Sequence, residues 1–423
     1  MRNFFKKFVA LALAAAFGGF CGCAKSADPP AETEIAGFDN TTKTFASRIG
    51  VTNWGARYMP GLGEENSVVY GAERILETGS KVIKIACSDP EGQYPLDDFG
   101  EFNAEKGEDI LKLEPFRKVF SMPFETYFIS FSERNDVKWA DGMSGEETAY
   151  VEEEFYGAAK YLLETYRGTG KTFILQNWET DNYVRYSFGK EEDWLISRRY
   201  ADYTNARQDG INRARDEFVM SAEKKVCVFG ALEVNKLDTS DTLTKAVDEI
   251  VPYTYCDLYT YSSYEYKDKG KVASAEEVAS SLAVALGYYK SKLPKEEKYP
   301  QKMYFGDKRL AITEFGYPDK ADGYSGEWQK MVAEGHILAM ENLDLQYIVY
   351  WQLCCNEVTA PNASEIGKLS SAQLRKYPFK AGDLNGFYLL RPDGAKTYTY
   401  NYLKAAIETN DRRAEAAKPP AWK

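Results

Sequence analysis

Eight runs of strand-forming residues alternate with eight helical stretches along this chain, and that rhythm narrows the possible folds more than any other feature. The strand candidates are Arg48 to Asn53, Val82 to Ser88, Thr126 to Ser132, Thr172 to Glu179, Lys225 to Glu233, Leu258 to Ser262, Leu310 to Glu314 and Tyr347 to Gln352. Between and after them lie the helical stretches Ser67 to Thr78, Asp109 to Phe120, Gly145 to Tyr166, Trp194 to Phe218, Thr242 to Val251, Ala275 to Lys292, Gly326 to Asn342 and Lys396 to Thr409. Such alternation is the pattern of a parallel sheet whose crossovers are helices. Eight pairs in one chain predict a closed (β/α)8 TIM barrel, an α/β fold in a single domain, over an open sheet with fewer strands. Local chemistry agrees at several boundaries. Ser144 with Glu147 and Ser274 with Glu277 fit the capping box, and Pro294 stands where the sixth helix should stop.

The first residues have another purpose. Arg2, Lys6 and Lys7 precede an apolar run from Phe8 to Phe20, the build of a secretory signal and short for a membrane span. The segment Phe20-Cys21-Gly22-Cys23-Ala24 resembles a bacterial lipoprotein signal, with Phe20 where Leu is usual. That resemblance implies residues 1–22 as signal peptide and Cys23 as the lipidated first mature residue; an ordinary cleaved secretory signal is the other reading. Either places the protein outside the cytoplasm, in the periplasm or at the cell surface. If Cys23 is lipidated, the chain meets the membrane only through that anchor. Residues 23–44 are small, polar and Pro-containing, as a tether is. The barrel is expected over 45–409, with a charged tail over 410–423.

Composition excludes several chemistries. The chain has one histidine, His336, in a helical run, so a Ser-His-Asp or Cys-His hydrolase has no other base to use. Zinc hydrolases take two or three His ligands, and no metal or other cofactor is expected. A net charge of −11 with no basic stripe argues against a nucleic-acid partner. The segment Gly168-Thr169-Gly170-Lys171-Thr172 looks like the end of a phosphate loop, but Thr165 stands where its first glycine belongs and the segment precedes a strand. Five cysteines remain beyond the signal and its lipidation site. Cys87 and Cys227 lie in apolar runs as small core groups, and the odd number implies no full disulfide set.

What remains is carboxylate chemistry. Glu179 closes the fourth strand run and Glu314 the seventh. In a parallel barrel the C-terminal strand ends carry the site, and long loops after strands two, four and eight (89–107, 180–193 and 356–385) are placed to wall a cleft there. Two carboxylates at one mouth are the minimum equipment for cleaving a glycosidic bond. Aromatic residues make up 14% of the chain, more than a core alone needs, and sugar sites use aromatic faces as platforms.

Phe173-Ile174-Leu175-Gln176-Asn177-Trp178-Glu179, Ile312-Thr313-Glu314-Phe315-Gly316 and Tyr350-Trp351-Gln352 together resemble the large clan of retaining glycoside hydrolases on (β/α)8 barrels, of cellulase and galactanase type. The resemblance implies Glu179 as acid/base, Glu314 as nucleophile and Trp351 as a sugar-stacking residue, with core packing an equal alternative for Trp351. It also implies a tyrosine bonded to the nucleophile, either Tyr261 or Tyr259, and a β-linked oligo- or polysaccharide substrate. The clan normally has Asn directly before its acid/base Glu, whereas Trp178 intervenes here. If the strand runs through Glu179, Asn177 shares its face and can reach a sugar hydroxyl. Asn53, Trp54 and Glu233 are further candidates for sugar contacts, as are Asp181 and Arg185 in the loop after Glu179. The rival reading is a catalytically inactive carbohydrate-binding lipoprotein that keeps the cleft and its aromatics.

Overall fold

The strand runs close on themselves. In order they are β1 (Ile49–Thr52), β2 (Val82–Ala86), β3 (Thr126–Ser130), β4 (Lys171–Gln176), β5 (Val226–Val234), β6 (Leu258–Ser263), β7 (Leu310–Phe315) and β8 (Ile348–Tyr350). Each pairs in parallel with the next, and β8 returns to β1, so the sheet is a closed eight-stranded barrel. This computed structural model describes residues 43–416 apart from 189–193, 219–224, 239–244, 265–272, 296–301, 320–324, 360 and 362. The signal segment, Cys23 and the tether as far as residue 42 lie outside the described residues.

Helices cover the barrel where the sequence places them. Trp194–Phe218 and Ala275–Lys292 match the expected bounds, and Ser67–Leu76, Gly145–Thr165 and Ser325–Asn342 lie within two residues of theirs. The last helix, Tyr398–Ala416, continues past Thr409. Ser144 accepts from the Glu147 amide while Glu147 accepts from the Ser144 amide, closing the anticipated box. Two stretches depart from expectation. The stretch from Asp109 to Phe120 divides into Gly107–Leu111 and Glu114–Ser121, because Pro115 has no amide to donate and fits only the first turn of a new helix. Of the expected helix Thr242 to Val251, the described part holds one turn, Ala246–Glu249, followed by a 3-10 turn at Val251–Tyr253; residues 242–244 lie outside the described residues.

Alternation along each strand sorts side chains into two layers. Outward residues such as Ile83, Ile85, Tyr259 and Tyr261 pack with helix residues Val278, Leu282 and Tyr289 in the main core. Inward residues Val82, Phe128, Ile174, Phe229, Leu258, Ala311 and Val349 fill the barrel as a dry plug. One step further along the same inward rows, towards the C-terminal mouth, the plug gives way to Lys84, Gln176, Glu233, Thr260 and Thr313, all fully buried. The fold thus seats a polar layer directly on an apolar one.

Candidate active site

Glu314 stands at the end of β7 because that strand breaks its regular register. Pairing with β6 slips between Tyr261 and Ser262, so Ser262 faces Glu314 instead of Thr313. A second irregularity lies on the β8 side between Ile312 and Phe315. A slip of this kind re-aims side chains that plain alternation would send to opposite faces. Both Thr313 and Glu314 consequently meet interior partners: Thr313 Oγ1 donates to Glu233 Oε1 at 2.5 Å, and Glu314 Oε1 accepts from Lys84 Nζ at 2.8 Å.

Glu179 reaches the same place by a turn. β4 ends at Gln176, three residues earlier than the sequence suggested, so strand parity does not place Asn177 and Glu179. Asn177 staples β4 to β5 instead: its Oδ1 accepts from the Glu233 amide at 3.0 Å, and its Nδ2 donates to Thr180 Oγ1 at 2.7 Å and to Glu233 O at 3.3 Å. The Asn177 amide group is thus engaged within the protein. Glu179 then adopts φ +27°, a left-handed conformation uncommon for a side chain with a Cβ. Two contacts hold it there. Its amide donates to Glu233 Oε2 at 3.0 Å, and its carbonyl accepts from the Tyr183 amide at 2.9 Å as the next helix begins.

The two glutamates meet at one hydroxyl. Ser262 Oγ lies 2.7 Å from Glu179 Oε1 and 3.1 Å from Glu314 Oε2. The sum of those lengths, 5.8 Å, is an upper limit on the gap between the two oxygens. Glu179 Oε2 accepts from Asn182 Nδ2 at 2.5 Å, and Asn235 Nδ2 stands 3.5 Å away. Tyr264 OH is 3.4 Å from Glu314 Oε2. The tyrosine beside Glu314 is therefore Tyr264, beyond β6. Tyr259 and Tyr261 point to the helical layer, since Ser262 takes the inward row; the Tyr259 hydroxyl bonds Thr254 Oγ1 at 3.1 Å.

Beneath the pair lies a buried ion cluster. Lys84 Nζ donates to Glu233 Oε1 at 2.9 Å, to Glu314 Oε1 at 2.8 Å and to Thr313 O at 3.3 Å. Glu233 is fully buried, and Gln176 Nε2 also donates to its Oε1, at 3.3 Å. This corrects the reading of Glu233 as a sugar contact, since it lies below the surface of the site. Burial pushes the Glu314 carboxyl up, to about 8, against the opposing pull of Lys84 and with help from the Glu233 and Glu179 charges. Burial raises Glu179 as well, opposed by the Ser262 and Asn182 bonds. Burial drags the Lys84 ammonium down, but the Glu233 and Glu314 carboxylates outweigh it and the net shift is upward. These directions agree once three acids are set against one ammonium: the cation stays charged and the acids cannot all ionise cheaply.

Three tryptophans gather at the mouth. The Trp54 ring meets Trp351 edge-on at 5.6 Å and Trp178 edge-on at 6.4 Å. Trp351 is buried, whereas Trp178 is 38% exposed. Trp178, the residue between Asn177 and Glu179, thus offers an aromatic face next to Glu179. Other candidates prove structural. Asn53 Nδ2 donates to Ser67 O and Val68 O, tying β1 to a helix. Asp181 accepts from the amides of Asn235, Lys236 and Ala246, bracing the segment beyond β5. Arg185 sits on the helix Thr180–Phe188, with its side chain outside the described residues. Lys84, Ser262, Tyr264, Asn182 and Trp178 were missed in the sequence. Lys84 had a signal there, as a lysine in the middle of the apolar run Val82-Ile83-Lys84-Ile85-Ala86.

No protein-family model matches the chain, and no curated protein does. Solved structures do. A GH5_18 protein of Streptomyces cattleya, crystallised with Manβ1-4GlcNAc, superposes with a TM-score of 0.52 at 10% identity, over 88% of this chain and 82% of that one. A GH5_18 protein of Bifidobacterium longum subsp. longum with the same disaccharide gives 0.51 at 12% identity, over 88% and 79%. The chain shares the eight-stranded barrel fold of these two proteins. At such identities the likeness extends to the fold, and the residues of the site must speak for the chemistry.

Proposed function

We propose that the protein is a retaining glycoside hydrolase acting on β-linked oligosaccharides, with Glu314 as nucleophile and Glu179 as acid/base. The observation that carries this reading is the Ser262 hydroxyl shared by the two carboxylates at the barrel mouth. Retaining enzymes hold their carboxyl groups roughly 5–5.5 Å apart, and inverting enzymes about 6.5–9.5 Å. A gap of at most 5.8 Å between the facing oxygens suits the retaining class.

Proton accounting supports the division of roles. A hydroxyl has one proton to donate, so Ser262 satisfies both neighbours only if one of them donates to it. Burial raises both carboxyls, Glu314 to about 8, so the pair holds a proton between them. Of the two, Lys84 touches Glu314 alone and stabilises its anion, which assigns that proton to Glu179 in the reacting form. Glu179 then donates to Ser262, and Ser262 donates to Glu314. With substrate present, the Glu314 carboxylate attacks the anomeric carbon while Glu179 gives its proton to the departing glycosidic oxygen. The glycosyl ester that forms is opened by water, which loses a proton to Glu179 as its oxygen bonds to the same carbon. Trp54, Trp178 and Trp351 supply apolar faces for the sugar rings.

The β linkage is supported by the disaccharide named for two proteins of the same fold, and Manβ1-4GlcNAc is accordingly the first compound to test. Hydrolysis followed by proton NMR should show the β-anomer as first product, with the Glu314→Gln protein as blank. Absence of turnover across β-linked glycans would leave the rival, a binding protein. We also propose that Cys23 is lipidated and anchors the enzyme outside the cytoplasm, on the strength of the charged and apolar segments before it. Labelled palmitate should enter the membrane-bound wild type; equal labelling of the Cys23→Ala protein would refute the anchor.

A further inference from the structure

We infer that Lys84, which touches the Glu314 carboxylate, and Glu233, which holds the Glu179 backbone amide, are positioning residues that form one buried truss and assign the charge states of the site. The inference rests on the retaining reading of Glu179 and Glu314 but concerns two residues that do not themselves meet the sugar.

The truss can be followed atom by atom. Glu314 Oε1 accepts from Lys84, Lys84 donates to Glu233 Oε1, and Glu233 Oε2 accepts from the backbone amide of Glu179. The three contacts are 2.8, 2.9 and 3.0 Å long. All three ammonium protons are engaged, the third by Thr313 O. Among the described residues the Glu233 carboxylate receives four donors, from Lys84, Thr313, Gln176 and the Glu179 amide. Neither Lys84 nor Glu233 exposes any surface, so neither can meet a sugar. Their effect must pass through the groups they hold.

Two consequences follow. Glu233 fixes the amide of a residue in a left-handed conformation, which costs energy and survives only where neighbours enforce it. Removing the carboxylate frees Glu179 to drift from its aim. Lys84 also fixes which acid is the anion. The titratable groups around it are Glu179 from the turn after β4, Glu233 from β5, Glu314 from β7 and, beside Glu314, the Tyr264 hydroxyl after β6. It contacts Glu314 and Glu233 directly, and its influence on Glu179 is the weaker. Without the cation, three acids would share the site with nothing to choose among them.

The test uses opposite shifts. Lys84→Met removes the cation and keeps the length of the side chain, so Glu314 ionises later and the acid limb of kcat/KM should rise by about 1–3 pH units. Glu233→Gln removes a repelling charge and leaves Lys84 to Glu314, so the same limb should fall. A truss that merely held the fold would lower activity without moving the limbs in opposite directions, and that outcome would overturn the inference. Because Lys84→Met strands Glu233 in a dry interior and can unfold the barrel, the Lys84→Met/Glu233→Gln double variant removes both charges together. Its limb should lie between those of the two single variants. Carbon-13 NMR of labelled glutamate, with Glu314 assigned by Glu314→Gln, reads the same titration without substrate. If wild type turns over no glycan but the NMR shifts appear, the retaining reading fails and the truss stands. If wild type is active and the Glu314 midpoint ignores Lys84, the truss fails alone.

Discussion

Replacing Ser262 by alanine isolates the contact on which the functional reading rests. The substitution removes one oxygen from a fully buried position and leaves β6 otherwise intact. Among the described residues, Glu314 Oε2 is met by Ser262 at 3.1 Å and by Tyr264 at 3.4 Å. Loss of Ser262 therefore leaves that oxygen with one long partner. A hydrogen bond to a charged group contributes about 1.5–3 kcal/mol, which converts to about a 10- to 150-fold change in rate. The loss should fall on kcat, since the bond orients reacting groups and not bound sugar. It should also raise the acid limb of the pH profile, because Glu314 loses a donor to its anionic form. Steady-state kinetics on Manβ1-4GlcNAc between pH 4 and 9 would show both effects. A Ser262→Ala enzyme with kcat within twofold of wild type and an unmoved profile would refute the idea that this hydroxyl couples the two carboxylates.

Other expectations follow from the same geometry. Glu314→Gln should lower turnover by about 10⁴-fold or more while binding persists, read by activity and calorimetry side by side. Glu179→Ala should slow glycan cleavage by about 10²–10⁴-fold, yet slow the first step far less for a dinitrophenyl glycoside, whose leaving group needs no proton. Trp178→Ala should raise KM about 2- to 13-fold with kcat nearly unchanged, the scale of one aromatic contact. His336 stacks on Phe315 at 4.3 Å, and burial depresses its pKa to about 3, opposed by its bond to Val332 O. The unfolded chain binds the proton first, so this contribution is fully present above about 6.5 and is lost as pH falls towards 3. The span corresponds to roughly 4–5 kcal/mol at most. Urea midpoints at pH 4 and 7 should differ less for His336→Phe than for wild type.

Much of the fold could be read from the chain because helix periods are strong over long runs, as in Gly145 to Tyr166 and Trp194 to Phe218, with shorter strand runs recurring between them. Pro115 shows where a local signal was available and passed over. The candidate site could be read as far as the meeting of Glu179 and Glu314, which come from the turn after β4 and from β7 to one hydroxyl. It was not legible where geometry departs from alternation. The slip between β6 and β7 decides that Glu314 and Thr313 both face inward, and no propensity encodes a slip. The turn after Gln176 likewise turns Asn177 into a staple and frees Trp178 to line the mouth. Tyr261 shows the cost of reading parity from the wrong residue: Ser262 owns the inward row, and the nearby phenol is Tyr264.

Glu179, Glu233 and Glu314 surround a single lysine, so once the last proton leaves, the floor of the barrel carries more negative than positive charge. Any visitor bearing a positive charge would complete the balance that the protein leaves open. An oxocarbenium-like sugar does so fleetingly, and a protonated iminosugar would do so permanently. Such an amine should grip this cavity harder as the medium becomes more alkaline through about 8, until the amine itself is neutralised. A neutral lactone of the same shape should show no such trend.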